Sequence, residues 1–419
     1  MLFPHRCNGR RLLALLLTGW ALSSHAQPRL TADEAVQLAM AQPHVRARFD
    51  AGVEHARSDV LAARTWANPT LELEQEREDG DAGAPGRETS VVLSQPFELG
   101  GRRGLRRDAA EQGVAAAQAN ADYERARLRA DVLRAYYAAV AAERRNQAQS
   151  RLGQGLQSLA TAAGQRRAAG DLSGYESRRI AQAHAQSQAR AAEADADARA
   201  ARARLAGQVG EQALTAELDP TLPTPTVPTL QDDARSAELD VLRARRDHAE
   251  ARARAERRFA VPVDVGVGTK RTEHNGLRDE ALLLQVGVPL PLFDRNQAAR
   301  ARAAAEASQT DADYQRALLE TRARRAAVLE QATRLSASAR SLLDTAVPEA
   351  ERLTAIARSS YAEGELDLVG LLDAYAAEAD VIDQALQQQT RALDAQLELE
   401  LLAPLITAQP DPTTQGVQP

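Results

Sequence analysis

Two periodicities run along this chain. In four short stretches apolar and polar residues alternate at period two. Leu71 and Leu73 stand against Glu72 and Glu74; Val263, Val265 and Val267 against Asp264, Gly266 and Gly268; Leu284, Val286 and Val288 against Gln285 and Gly287. The pattern predicts strands with one greasy face over about 70–75, 89–97, 261–270 and 281–290. Behind each strand pair the period changes to that of a helix. From about Arg103 to Arg167 there is no proline and no strong run of turn residues. At 1.5 Å per residue such a helix reaches roughly 100 Å, longer than any single globular domain. The later stretch from about Gln297 to Ala357 places Val328, Ala332, Leu335, Ala339, Leu342 and Ala346 at alternating spacings of four and three. That is a coiled-coil seam, with alanines allowing close approach. Pro348 interrupts the stretch and predicts a kink or a shortened helix there.

The pattern occurs twice. A displacement of 193 residues lays the segment Asn68 to Glu74 on Val261 to Val267, and Ser94 to Arg102 on Gly287 to Arg295. One residue more sets Ala169 to Ser173 on Glu363 to Asp367. A period this long marks a duplicated half-protein and not a solenoid. Each half reads helix, strand, strand, very long helix, tight turn, helix. The expected division is a first repeat over 27–218, a proline-rich connector over 219–230, a second repeat over 231–408 and a flexible tail over 409–419.

A half-buried strand of a soluble sandwich alternates in the same way. Four strands, however, cannot cover a sandwich core, and the remaining sequence offers no further strand-like segment. Lengths near 9 to 11 residues suit tilted strands crossing an outer membrane. The intervening Glu76 to Glu88 and Arg271 to Glu280 are charged and glycine-bearing, as extracellular loops are expected to be. A closed barrel needs about eight strands, so one chain is insufficient and several copies are required. An ordinary coiled-coil rod, a structural protein of the periplasm, is the alternative from another class. It leaves the paired strands and the duplication unexplained.

Composition narrows the choice. Aromatics make up 3% and charged residues 26%, the profile of long helices packed through small side chains. A net charge of -6 gives no basic surplus for phosphates, so nucleic acid is not expected as a partner. The first 26 residues read as an export signal. Arg6, Arg10 and Arg11 precede an apolar run from Leu12 to Leu22, and Ser24 and Ala26 set the expected cleavage after Ala26. The single cysteine, Cys7, lies before that run and is lost on processing. No segment approaches the roughly 20 apolar residues of a membrane-spanning helix, so insertion must use strands. The seven histidines show no metal-ligand spacing, and G-x-S-x-G and P-loop motifs are absent. His184, His248 and His274 read as solvent-facing. No catalytic residue, metal ligand or cofactor is expected.

The opening Leu30-Thr31-Ala32-Asp33-Glu34-Ala35, the segment Leu93-Ser94-Gln95-Pro96-Phe97-Glu98-Leu99-Gly100-Gly101-Arg102-Arg103 and the segment Val288-Pro289-Leu290-Pro291-Leu292-Phe293-Asp294-Arg295-Asn296-Gln297 resemble the TolC outer-membrane factor family. They look most like its heavy-metal branch, the outer component of cobalt-zinc-cadmium (CzcC-like) systems. The resemblance covers essentially the whole chain after the export signal. It implies a mainly α fold with a small β part: a homotrimer whose twelve strands form one outer-membrane barrel joined to a long periplasmic α-helical barrel. It also implies a periplasmic adaptor, an inner-membrane pump of the resistance-nodulation-division (RND) class and outer-membrane lipid as partners. The implied role is a passive exit duct for divalent metal cations, with export of drugs or small organic molecules, or type I secretion, as alternatives within the fold.

Candidate site residues follow. Gly170 and Gly364 stand where long helices must reverse, and Pro96, Gly100, Gly101, Arg102, Pro289, Pro291, Asp294 and Arg295 mark the strand-to-helix connections. In the resemblance the turns become periplasmic tips that close the tunnel. Family members often carry two aspartates three residues apart after the second turn, and the matching positions here are Gly370 and Asp373. One of the two is therefore absent. Asp373 from three chains would form an acidic ring, or else serve only as a helix-start charge. Glu363, Glu365 and Asp367 add acidity, and Arg352 and Arg358 are candidates for pairing across the tip.

Overall fold

The computed structural model describes residues 29–78, 86–227, 236–258, 260–274 and 277–402. The stretch expected to be an export signal, with Cys7, lies outside the described residues, as do the end of the expected connector, the expected C-terminal tail and parts of both inter-strand loops. In the first half, helices α1 (Ala32–Ala41) and α2 (Pro43–Arg64) lead to strands β1 (Thr70–Glu78) and β2 (Gly86–Leu99). Then come α3 (Arg102–Ala168), α4 (Gly174–Val209) and the single turn α5 (Gln212–Thr215). The second half runs α6 (Ala237–Arg257), β3 (Val261–His274), β4 (Leu277–Gly287), α7 (Gln297–Ser341), a π-helical segment Leu342–Ala346, α8 (Val347–Glu363) and α9 (Leu368–Leu402).

Helix α3 is 67 residues long, and at 1.5 Å per residue it extends about 100 Å. It carries almost no amphipathic stripe because successive stretches face different neighbours. Antiparallel register against α9 is fixed by Arg129–Glu400 at 3.0 Å, Arg134–Asp394 and Arg145–Asp383 at 2.5 Å. The α7 seam buries Val328, Ala332 and Ala339, with Ser336 fully buried where Leu335 is only half-buried. Pro348 breaks this rod as expected, though through a π segment. Proline donates no N–H and crowds the carbonyl of the residue four before it. The backbone widens just ahead of it, and the Val347 N–H reaches back to Leu342 O.

The core lies where α1, α3, α4, the connector and α9 meet. Tyr136 sits there, 1% exposed, surrounded by Val132, Val140, Leu205 and Leu393. Its hydroxyl donates to Leu30 O at 2.7 Å, and Leu30 pairs in parallel with Leu218, the residue just before the connector. Burial pushes the Tyr136 phenol up to about 12. Gln389 of α9 donates to Pro223 O at 3.1 Å, holding the connector on the other side.

The four strands form one antiparallel sheet in the order β1-β2-β3-β4, leaving β1 and β4 as its edges. Its register sorts the two faces. Leu71, Leu93, Val267 and Leu284 form one cross-strand row, and Leu73, Val91, Thr269 and Leu282 the next. Glu72, Val92, Gly268 and Leu283 form a row on the opposite face. Leu73, Leu282 and Leu284 are each more than 70% exposed, so this apolar face is uncovered in the single chain. The eight-residue step from Leu99 to Val91 covers about 27 Å along the strand.

Three expectations require correction. The displacement of 193 would set Leu71 on Asp264, yet these residues face opposite sides; the registers show that β1 to β3 and β2 to β4 do not share one displacement. The charged ends of the strands are ladder, not loop. Glu76 to Glu78, Arg271 to His274 and Leu277 to Glu280 are all paired, and in the second hairpin Arg271 bonds Glu280 at 3.1 Å and Arg278 bonds Glu273 at 2.7 Å across the strands. Finally, β4 ends at Gly287, short of Leu290, because Pro289 and Pro291 cannot donate to a ladder.

On the opposite, largely polar face Val92 is 4% exposed. A Cβ at Gly268 would lie 2.2 Å from Val91 O, whereas one at Gly287 would meet nothing closer than 3.6 Å. Gly268→Ala is expected to lower the thermal stability of the folded protein markedly, while Gly287→Ala leaves it nearly unchanged, as read by thermal melting of both variants beside the wild type. Tyr136→Phe should lower thermal stability by about 1–3 kcal/mol, because Leu30 O loses its buried donor. The raised phenol favours the neutral form in the folded state. Its contribution is complete below pH 10 and fades toward pH 12, so alkaline titration of stability should lose that increment in Tyr136→Phe.

Candidate functional site

The strand-to-helix connections are built around one carboxylate. Glu256, in the last turn of α6, accepts from Arg102 at the start of α3 and from Asn296 Nδ2, at 2.7 Å, at the start of α7. Both long helices open on a left-handed residue, Gly101 at φ 76° and Asn296 at φ 63°. Gly101 tolerates that conformation for want of a Cβ, and asparagine is the side chain that visits it most readily. Gly101 is therefore matched by Asn296 and not by Asp294, which instead accepts the Asn296 N–H at 2.8 Å. Arg295 donates to Pro291 O at 3.3 Å, and Arg258 donates to Gly100 O at 2.8 Å. Pro96 stands within the ladder opposite Asp264. Pro289 and Pro291 line a groove of about 470 Å³ beneath β4. Sequence reasoning missed Glu256; a carboxylate closing a helix just before a strand carries no motif.

The apolar face is bounded at both ends. At one end stands the Arg271–Glu280 pair. At the other, Trp66 meets the Phe97 ring edge-on at 5.9 Å with the Arg103 guanidinium 4.0 Å above it. Aromatic and basic groups below a band of exposed Leu and Val are the profile of a strand surface crossing lipid. Among the described residues no helix is long and apolar enough to cross a membrane.

At the opposite end of the rods, Gly170 and Gly364 adopt φ of 87° and 81° between α3 and α4 and between α8 and α9. Asp367 caps α9, accepting the Gly370 N–H at 2.8 Å. Ser173 and Glu176 form the matching capping box on α4. The Ser173 bonds hold the Glu176 carboxyl below its usual range.

Residues 32–211 match the family model for outer membrane efflux proteins. The chain belongs to this family. It is 28% identical over 368 residues to the cobalt-zinc-cadmium resistance protein CzcC of Cupriavidus metallidurans, covering 82% of this chain and 83% of that one. It is 34% identical over 285 residues to the nickel and cobalt resistance protein CnrC of the same organism, covering 65% and 66%. In fold it is similar to the Campylobacter jejuni CmeC outer membrane channel, with a TM-score of 0.72 at 11% identity over 88% and 85% of the two chains.

Within this efflux-family fold the tip residues stand apart from one another in role. Asp373 is exposed and sixth in α9, past the first turn, so the helix-start reading of its charge does not apply. It lines a groove of about 230 Å³ shared with Arg179 and Arg190 of α4. Glu363 and Glu365 are exposed beside the turn, and Asp367 is engaged as a cap. Gly370 is no open vacancy, since a Cβ there would lie 2.7 Å from Leu366 Cδ1. Arg352 pairs with Glu349 on its own helix at 2.7 Å and does not cross the tip. Arg358 lines a separate groove with Tyr375 and Glu378.

His248 departs from the solvent-facing reading. It is half-buried between α6 and α3, with Nδ1 2.8 Å from Ala109 O. His184 is also half-buried, and the side chain of His274 lies outside the described residues. Among the described residues no group of three or more histidine, cysteine or carboxylate side chains is placed to hold a metal ion.

Glu256→Ala strands two donors at the junction and is expected to cost about 1–3 kcal/mol, with Glu256→Asp retaining part of the loss. Thermal melting of the detergent-solubilised protein measures both.

Proposed function

We propose that this protein is the outer-membrane channel of a tripartite efflux system, a passive exit duct for divalent heavy-metal cations. The observation that carries the reading is the one-sided apolar sheet with two unpaired edges, mounted on helices about 100 Å long. Three copies close twelve strands into a barrel, each chain supplying one hairpin from each of its two repeats. The apolar faces meet lipid and the polar faces line the lumen. The helices continue the duct through the periplasm, where an adaptor joins it to an RND pump in the inner membrane.

The metal substrate is supported by the relatives, whose names record cobalt, zinc, cadmium and nickel resistance. The duct performs no chemistry. Conduction favours weak and repeated contacts over tight coordination. Asp373 is assigned as the acidic ring at the entrance, attracting cations through three exposed carboxylates, while Glu363 and Glu365 add to the same field. Asp367 contributes mainly as the α9 cap.

Deletion of the gene should sensitise cells to cobalt, zinc, cadmium or nickel, with wild-type complementation restoring growth. Asp373→Ala should restore it only partly, although equal amounts reach the outer membrane. Sensitivity confined to hydrophobic drugs would contradict the metal assignment.

A further inference from the structure

Beneath the end of β4, the Pro289 to Asn296 connection, the end of α6 and the first turn of α7 enclose the groove of about 470 Å³. Its chemistry is divided. Leu290, Leu292 and Phe293 form an apolar rim, with Phe293 91% exposed. Behind them stand Arg102, Arg257, Arg258, Arg295 and Arg300. The two carboxylates in the lining are already engaged, Glu256 by Arg102 and Asn296, and Asp294 by the Asn296 N–H. Among the described residues no carboxylate comes within 4.0 Å of Arg257, Arg258, Arg295 or Arg300. Arg258 and Arg295 each spend one donor on a backbone carbonyl, leaving the rest of the guanidinium fork open.

Four guanidiniums against the one remaining carboxylate, Asp294, leave the groove net positive, and their planar forks match phosphate oxygens. A free inorganic anion would explain the arginines but not the rim, because Leu290, Leu292 and Phe293 gain nothing from it. A phosphate that carries acyl chains accounts for both. The groove also lies just below the apolar band, at the level of Trp66 and Phe97, where lipid headgroups meet strands.

We propose that this groove binds the headgroup phosphate of an anionic phospholipid in the periplasmic leaflet, with the acyl chains lying over Leu290, Leu292 and Phe293. The inference rests on the outer-membrane channel reading above. Each copy carries one site, so the bound lipid anchors the lower rim of the barrel to its leaflet and braces the strand-to-helix junction through Arg258, which also holds Gly100 O.

The test uses the full-length processed protein, extracted from outer membranes in mild detergent and titrated with phosphatidylglycerol or phosphatidylcholine. Bound lipid is counted by native mass spectrometry. Phosphatidylglycerol is expected to be retained about tenfold or more above phosphatidylcholine, and the Arg257→Gln, Arg300→Gln double variant should lose that preference. Millimolar inorganic phosphate should not displace the lipid. Equal retention of the two lipids by the wild type would overturn the proposal while leaving the channel intact. Displacement by inorganic phosphate would reduce the groove to a simple anion site, which also overturns it. Wild-type protein that never reaches the outer membrane would remove the channel reading, and the lipid site with it.

Discussion

Backbone hydrogen bonding is the constraint on which this architecture depends. A strand in hydrocarbon has no water to satisfy its N–H and C=O groups, and an unpaired edge there costs several kcal/mol per group. This chain forms a sheet with an apolar face and two open edges, β1 and β4. Such a sheet is stable in lipid only when another copy pairs with each edge. In the proposed channel, assembly is thereby a condition of insertion, and the single chain is an incomplete object.

The other features follow from holding that sheet at the end of a long rod. Two hairpins must enter and leave through four helical connections, and all must keep their heading. Glu256 ties the starts of α3 and α7 to the end of α6, so the helices of both halves leave the sheet from one fixed point. Farther down, the Tyr136 hub and the Arg–carboxylate pairs between α3 and α9 hold register over a length at which small angular errors would accumulate. Glycine appears where geometry demands it. Gly268 lets β3 pass against Val91, and Gly170 and Gly364 reverse the rods.

Much of this was legible in the sequence because it is written in periodicity. Leu71, Leu73, Val265 and Val267 alternate at period two, and α3 lacks any interruption over 67 residues. The duplication made four weak strand signals into one pattern. What escaped was non-periodic. Arg271 and Glu280 looked like loop residues because charge is a poor guide to a ladder whose cross-strand partners neutralise each other. Displacement along the chain does not fix which side a residue faces, so Leu71 was matched to Asp264. At the tip, the carboxylates were visible as a cluster, but only geometry separates Asp367, bonded to a backbone N–H, from Asp373, which is exposed. Glu256 makes its contacts across 154 and 40 residues of sequence, a separation no local motif records.

The measurement that bears most directly on the account is the mass of the protein extracted from outer membranes in mild detergent, read unheated and after boiling. Three chains are expected in the unheated species, converting to one on boiling as the shared barrel comes apart. A single chain inserted in the membrane, with its sheet edges unpaired by any copy, would contradict it.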